Sequence, residues 1–421
     1  MTYSKAMLLV VLFLWPHWGF SQKCLIPMDL SQTDHLKAYG ITYRALEQGL
    51  RVEWLLNYRG GSFLLDSDAS LTRLCRIRGV RFEVLGGSEV IALYKTIAEN
   101  NMETVLLEKA PRIAVYTPPN KRPWDDAVTL ALTYAEIPYQ TLWDREMLQK
   151  DLHEYDWIHL HHEDFTGQYG KFYGNYRSTS WYIEQQRVFE AESRKLGFSK
   201  VSKLKLAVAE CIKRYVLDGG FLFAMCSATD SFDIALSAAE TDICDSVFDG
   251  DPPDPNCQNK LDFTRCFAFE NFTLLTSPLI YEFSDVDTTP LDGSQQIAAP
   301  DNYFTLFAFS AKYDPVPTML TQDHVSVIHN FMGQTTGFRR SLLKKSVLIL
   351  AEKEGTDEVK YIHGNRGKGT FTFLGGHDPE DYQHFVGDTP TNLALHKSSP
   401  GYRLILNNVL FPAAQKREQK T

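Results

Sequence analysis

From Arg112 onward, apolar runs of strand length alternate with amphipathic runs of helix length, and that alternation restricts the chain to a small set of folds. Ile113–Tyr116 reads as a strand ended by Pro118-Pro119, and Trp124–Glu136 as a helix with Pro123 in its first turn. Tyr139–Trp143, Arg145–Leu152 and Trp157–Leu160 then continue as strand, helix and strand, completing a βαβαβ unit. After an insertion over 167–199, helix Lys203–Leu217 ends at Gly219-Gly220 and leads into Phe221–Ala224, apolar throughout as a strand buried on both faces must be. A second insertion, acidic and Pro-rich, runs over 240–300. Val347–Ala351 and Thr370–Phe373 read as late strands, and Leu404–Leu410 as a closing helix. The expected fold is α/β: a doubly wound, mostly parallel sheet over 111–415, with its ligand at the carboxyl ends of the strands.

Residues 22–110 read as an N-terminal α/β segment. Leu36, Tyr39, Tyr43, Leu46 and Leu50 recur at helical spacing within 31–49, and Val52–Leu56 follows as a strand. In Asn57–Phe63, Gly60-Gly61 beside Arg59 could hold an anion or could simply turn the chain. Ahead of this, Lys5, the apolar run Met7–Trp15 and small residues Gly19 and Ser21 have the layout of a cleavable signal peptide over 1–21. The run stops at Pro16-His17, short of the roughly 20 residues a bilayer requires. Gln22-Lys23 are too large and polar for lipoprotein processing at Cys24. No later stretch is apolar enough to span, so an exported protein without an integral membrane segment is expected, with a polar tail at 416–421. Net charge is −9 with Lys and Arg scattered, which argues against a nucleic-acid partner. Seven cysteines leave at least one unpaired in an oxidising compartment, and the closeness of Cys244, Cys257 and Cys266 admits a local disulfide.

Four motifs could carry chemistry. Ala224-Met225-Cys226-Ser227-Ala228 lies at a strand-to-helix turn, where a helix N-terminus would lower the thiol pKa and backbone N–H groups could form an oxyanion hole. A buried core cysteine is the competing reading. Gly375-Gly376-His377-Asp378-Pro379-Glu380 follows a strand and could present His377 as base, with Glu380 or Asp378 orienting the ring; a turn histidine is the alternative. His159 and His161 share one face of a strand end, and with Asp164 and His377 could converge on a transition metal, or could be a polar strand end. Asp249, Asp251 and Asp254 sit in a Pro-rich loop dense in oxygen ligands, without EF-hand spacing.

The Cys turn followed much later by His-x-Pro-Glu resembles the class I glutamine amidotransferase core, a flavodoxin-like arrangement. That resemblance implies a thioester mechanism with Cys226 as nucleophile, His377 as base and Glu380 as third member. It departs from the family in having Ala at the elbow glycines and Asp378 between His377 and Pro379. The phrases Cys24–Asp29, Asn57–Phe63, His161–Gly167 and Gly375–Asp381 resemble a secreted bacterial family, largely from the Bacteroidota, labelled asparagine synthetase B. Ser227–Ser231 lacks the glycines of a synthetase's ATP loop.

The leading expectation is therefore a secreted amidotransferase-like thiol hydrolase acting on a small-molecule, peptide or glycan amide or an ester, without a required cofactor. Arg59, Gly60, Gly61 and Ser227 form its expected substrate-binding set. The alternatives are a non-catalytic binding protein, a hydrolase holding a divalent metal through His161, Asp164 and His377, and an asparagine synthetase. N-terminal sequencing of the exported protein should begin at Gln22; an intact Met1 overturns the signal reading.

Overall fold

The computed structural model describes residues 22–119, 126–288, 303–314, 317–320, 325–329, 331, 333–381 and 389–415. The signal segment, the polar tail, Pro123-Trp124 and residues 289–300 of the second insertion lie outside these.

The N-terminal strands β1 (Lys23–Ile26), β2 (Val52–Leu56), β3 (Ser62–Asp66), β4 (Glu83–Leu85) and β5 (Glu103–Leu107) form an antiparallel sheet in the order β4-β1-β3-β2-β5. The Asp34 side chain accepts from Lys37 N at 3.0 Å and so starts helix His35–Glu47. That helix packs on the large sheet's helices Ala127–Ala135 and Pro400–Leu410. A bridge between Leu107 and Ala414, and Gln415 N donating to Leu106 O at 2.8 Å, tie the first segment to the end of the chain.

The large sheet holds β6 (Ile113–Tyr116), β7 (Gln140–Leu142), β8 (Trp157–Leu160), β9 (Phe221–Met225), β10 (Tyr303–Leu306), β11 (Val327–His329), β12 (Phe338–Arg339), β13 (Leu348–Glu352), β14 (Glu358–Arg366) and β15 (Gly369–Leu374). Its order is β11-β10-β13-β14-β15-β9-β8-β6-β7, with β12 paired to β14. The five strands β7-β6-β8-β9-β15 are parallel, and every pairing beyond β15 is antiparallel. The sheet is thus mixed rather than mostly parallel. The late strands do not extend the βα series directly: β14 turns back through Gly367, at φ 59°, and inserts itself between β13 and β15. Within the parallel half, chain order reverses between β6 and β8, the place where such sheets open a crevice.

Strand periodicity builds both cores. Ile113, Val115, Trp157, Phe223 and Met225 face the core shared with helices His35–Glu47, Ala127–Ala135 and Pro400–Leu410. Ala114, Tyr116, Ile158, Leu160, Leu222 and Ala224 face helices Val201–Leu217 and Ser227–Ser237. Each large side chain buried this way contributes about 1.5–3 kcal/mol. Among the described residues no helix is long and apolar enough to cross a membrane.

One ion pair lies wholly inside the second core. Lys205 Nζ donates to Asp144 Oδ1 and Oδ2 at 2.9 and 3.0 Å and to the Tyr116 hydroxyl at 2.8 Å, with the Trp143 ring 3.8 Å away. Removing one partner strands a buried charge, so Asp144→Ala should destabilise by about 3–5 kcal/mol in urea unfolding, whereas the double change Asp144→Leu with Lys205→Met should recover most of the loss.

Candidate functional site

Cys226 stands at the turn from β9 into helix Ser227–Ser237 with φ 52° and ψ −140°, a strained conformation for a residue bearing a Cβ. The parallel pairing of β9 with β15 sets Ala224 beside Phe373 and Met225 beside Leu374, so both strands deliver their loops to one rim. A methyl carbon at Gly333 would lie 2.9 Å from His377 Cβ and 3.2 Å from Cys226 Sγ, so the two side chains close on the same glycine. The sulfur's proton, however, goes to the Gln334 carbonyl at 2.7 Å. Burial pushes the thiol well above its ordinary pKa, and the nearby Asp230 and Asp287 push in the same direction. A thiol so placed is held protonated, the reverse of an activated nucleophile.

The remaining members expected for that triad are engaged elsewhere. Asp378 accepts from Glu380 N, the Thr391 hydroxyl and the Tyr402 hydroxyl, each at 2.8 Å, which ties its loop to the last helix. Glu380 pairs with His396 at 3.0 Å. Ser227 Oγ donates to the His162 carbonyl at 3.1 Å. Arg59 is held by Asp29 at 2.6 Å and Glu83 at 2.8 Å, and Gly60 and Gly61 close the β2–β3 turn of the N-terminal sheet rather than joining the rim.

The acidic loop already has its cation. Lys200 Nζ lies 2.5 Å from Asp242, 3.0 Å from Asp249 and 2.5 Å from Asp251, while Asp254 binds Lys260 at 3.1 Å. All seven cysteines are free thiols: Cys244 Sγ donates to Thr166 O and Cys266 Sγ to Asp233 O, each at 3.3 Å, so these two point to different carbonyls rather than to each other.

The histidines converge. His159 Nδ1 bonds to the Phe223 carbonyl across the β8–β9 pair at 3.0 Å; a carbonyl only accepts, so Nδ1 carries a proton and Nε2 is the nitrogen turned to the cluster. That Nε2 lies 3.2 Å from His161 Nδ1, and Asp126 Oδ1 lies 3.5 Å from the first nitrogen and 3.4 Å from the second. Asp126 also caps helix Ala127–Ala135 by accepting from Val128 N at 2.8 Å and Thr129 N at 3.1 Å. Burial works to raise its carboxyl, but the two imidazoles and the helix N–H groups outweigh this and hold it below the usual carboxylate range. Asp126 is the site residue that the sequence reading passed over. Asp164 does not join: it braces its own loop by accepting from Thr166 N and Oγ1 at 2.6 Å and from Gly170 N at 3.0 Å. Glu163 accepts from His161 N at 2.8 Å, and burial, with Asp126 close by, pushes its carboxyl up to about 8.

On the other side of His161, its ring centroid lies 4.0 Å from that of His377 and 5.2 Å from that of His162. Beside the cluster, where β6 ends and strand order reverses, is a cavity of about 360 Å³ lined by Thr117, Asp126, Thr129, Tyr134, His162 and Asn392 among others.

No family model and no curated protein matches this chain. Among solved structures it is similar to two cytoplasmic proteins of Salmonella typhimurium, at 10% and 12% identity and a TM-score of 0.34 each, over 73% and 72% of this chain and 100% of theirs. A GH42 β-galactosidase from G. stearothermophilus is similar at 9% identity and a TM-score of 0.25, over 63% of this chain and 27% of that one. Likeness of that degree leaves the function to be read from the site.

At pH 8 iodoacetamide should alkylate the half-buried Cys211 in the folded protein and label Cys226 at least about tenfold more slowly, catching up only on unfolding. Equal or faster labelling of Cys226 by peptide mapping would return it to consideration as a nucleophile.

Proposed function

We propose that this protein is a metal-dependent hydrolase whose ion is held by Asp126, His159 and His161. The carrying observation is the triangle of their facing atoms, with sides of 3.2, 3.4 and 3.5 Å. Ligand bonds of about 2.0–2.1 Å in tetrahedral geometry place ligand atoms about 3.3 Å apart, so the triangle has the dimensions of one face of a zinc tetrahedron. The surroundings agree. His159 is oriented by donating its other nitrogen's proton to a backbone carbonyl, as metal-bound histidines are, and the Asp126 carboxylate is itself hydrogen-bonded. Three protein ligands leave a fourth position for water, the arrangement of catalytic rather than structural zinc. The cavity reaches Asp126 directly.

Such an ion lowers the pKa of its bound water to about 7. Held by Asp126, His159 and His161, it would supply a hydroxide for addition to the carbonyl carbon of an amide or ester, with the acyl–nitrogen or acyl–oxygen bond breaking and the hydroxide's proton passing to the leaving group. The strand order β7-β6-β8-β9-β15 supports reading the parallel half as a flavodoxin-like, amidotransferase-like core. On this reading Cys226 keeps a structural role, and the signal-like N-terminus supports an exported enzyme.

Purified protein should carry tightly bound zinc, and a chelator should abolish ester hydrolysis until zinc is restored. His161→Ala and Asp126→Asn should each lower kcat/KM by about 100-fold or more, while Cys226→Ala stays within a few-fold of wild type. Hydrolysis that survives chelation and is lost in Cys226→Ala overturns the proposal in favour of thiol chemistry.

A further inference from the structure

His161 belongs to two clusters at once. Its Nδ1 faces His159 and Asp126, while one nitrogen from each of His161, His162 and His377 also lies within 4.8 Å of the other two. An imidazole carries its two nitrogens on diverging edges, so one ring can present one nitrogen to each of two sites. The His377 ring stands at 84° to that of His161 and the His162 ring at 89°. His162 and His377 are themselves 5.6 Å apart.

We propose that this is a dinuclear centre, with a second divalent ion bound by His161, His162 and His377 and the His161 ring bridging the two ions. The inference rests on the first site proposed above. Three imidazole nitrogens select a borderline metal such as zinc, copper or nickel over calcium or magnesium. Bridging requires His161 to give up its ring proton to solvent, which leaves an imidazolate with one lone pair for each ion. With bonds of about 2 Å on both nitrogens, the ions would stand about 6 Å apart. That is too far to share one water in the manner of hydrolases whose ions lie about 3.5–4 Å apart. The second ion would instead polarise the substrate carbonyl or hold the leaving group while the first carries the hydroxide.

The backbone is built to bring these rings together. His161 and His162 follow directly on β8, His377 follows β15, and β9 lies between those two strands. Gly376, at φ 87°, allows the chain to pass so close to Phe331 that a methyl there would sit 1.8 Å from its carbonyl oxygen. Drawing the three nitrogens from within 4.8 Å to the tetrahedral spacing of about 3.3 Å asks for side-chain rotation. His162 can supply it, being half-buried and lining the cavity.

The test loads the metal-stripped full-length protein with copper(II), dialyses it, and reads both metal content and the EPR spectrum. Two ions per chain, with an exchange-coupled spectrum that gives way to that of one isolated copper in His377→Ala, are expected. The wild-type spectrum decides the matter even if that variant fails to fold. One ion per chain, or two without coupling, overturns the bridge and leaves the mononuclear site standing. No bound ion overturns both.

Discussion

A single hydrogen bond across the middle of the large sheet, from His159 Nδ1 to the Phe223 carbonyl, is the contact on which the site depends. It exists because β8 and β9 pair in parallel with His159 set against Phe223, so an imidazole on one strand reaches a carbonyl of the other. By accepting from Nδ1–H it turns Nε2 outward, towards His161 and Asp126. Without it the ring could present either nitrogen, and the triangle would have no defined corner. The neighbouring rings of Trp157 and Phe223, each stacked within 5.7 Å of His159, keep that imidazole in place and dry.

The Cys226 turn meets the loop that lies against His377. Cys226 Sγ donates to Gln334 O, Thr335 N donates to Asp287 at 3.0 Å, the Thr335 hydroxyl donates to Asp230 at 2.9 Å, and Lys360 Nζ donates to Phe331 O at 3.0 Å and to Thr336 O. Four buried side chains, Cys226 and Asp230 from the start of one helix with Asp287 and Lys360, thus clamp Phe331 and residues 334–336. Burial, with Asp287 alongside, raises the Asp230 carboxyl well above its usual range, as expected of two carboxyls that share one small space. The clamp holds Gly333 between the thiol and His377, which fixes where His377 stands. A strained cysteine that resembles a nucleophile elbow in sequence also joins a strand end to the loop beside His377.

Much of the architecture was legible in the chain. The βαβαβ unit from Ile113 to Leu160, the buried strand at Phe221, the closing helix and the rim where ligands should gather all appear where hydrophobic period and turn residues put them. Of the antiparallel half only β13 was, as the strand read over Val347–Ala351. β14 mixes Lys, His, Gly and Asn with its apolar residues, so its nine residues carry no clean alternation, and only its neighbours make it a strand. Asp126 was passed over for a related reason: a helix read from Trp124 places it inside the first turn, whereas the helix starts at Ala127 and leaves Asp126 as its cap, turned towards the histidines.

What the sequence by itself determined is local: which runs are strands and helices, that glycines flank His377, and that histidines alternate at the end of β8. These follow from side-chain size, polarity and backbone freedom, which act over a few residues. Which of those groups meet was decided by the tertiary structure alone. The same chemistry-bearing residues could have formed a Cys226–His377–Glu380 triad or an aspartate-rich calcium loop. Strand order sets Cys226 and His377 on one rim, but the Gln334 carbonyl faces the thiol, His396 takes Glu380 and Lys200 sits among the aspartates. Each is a contact between residues at least about fifteen positions apart, where a spacing rule has no reach and packing has the last word.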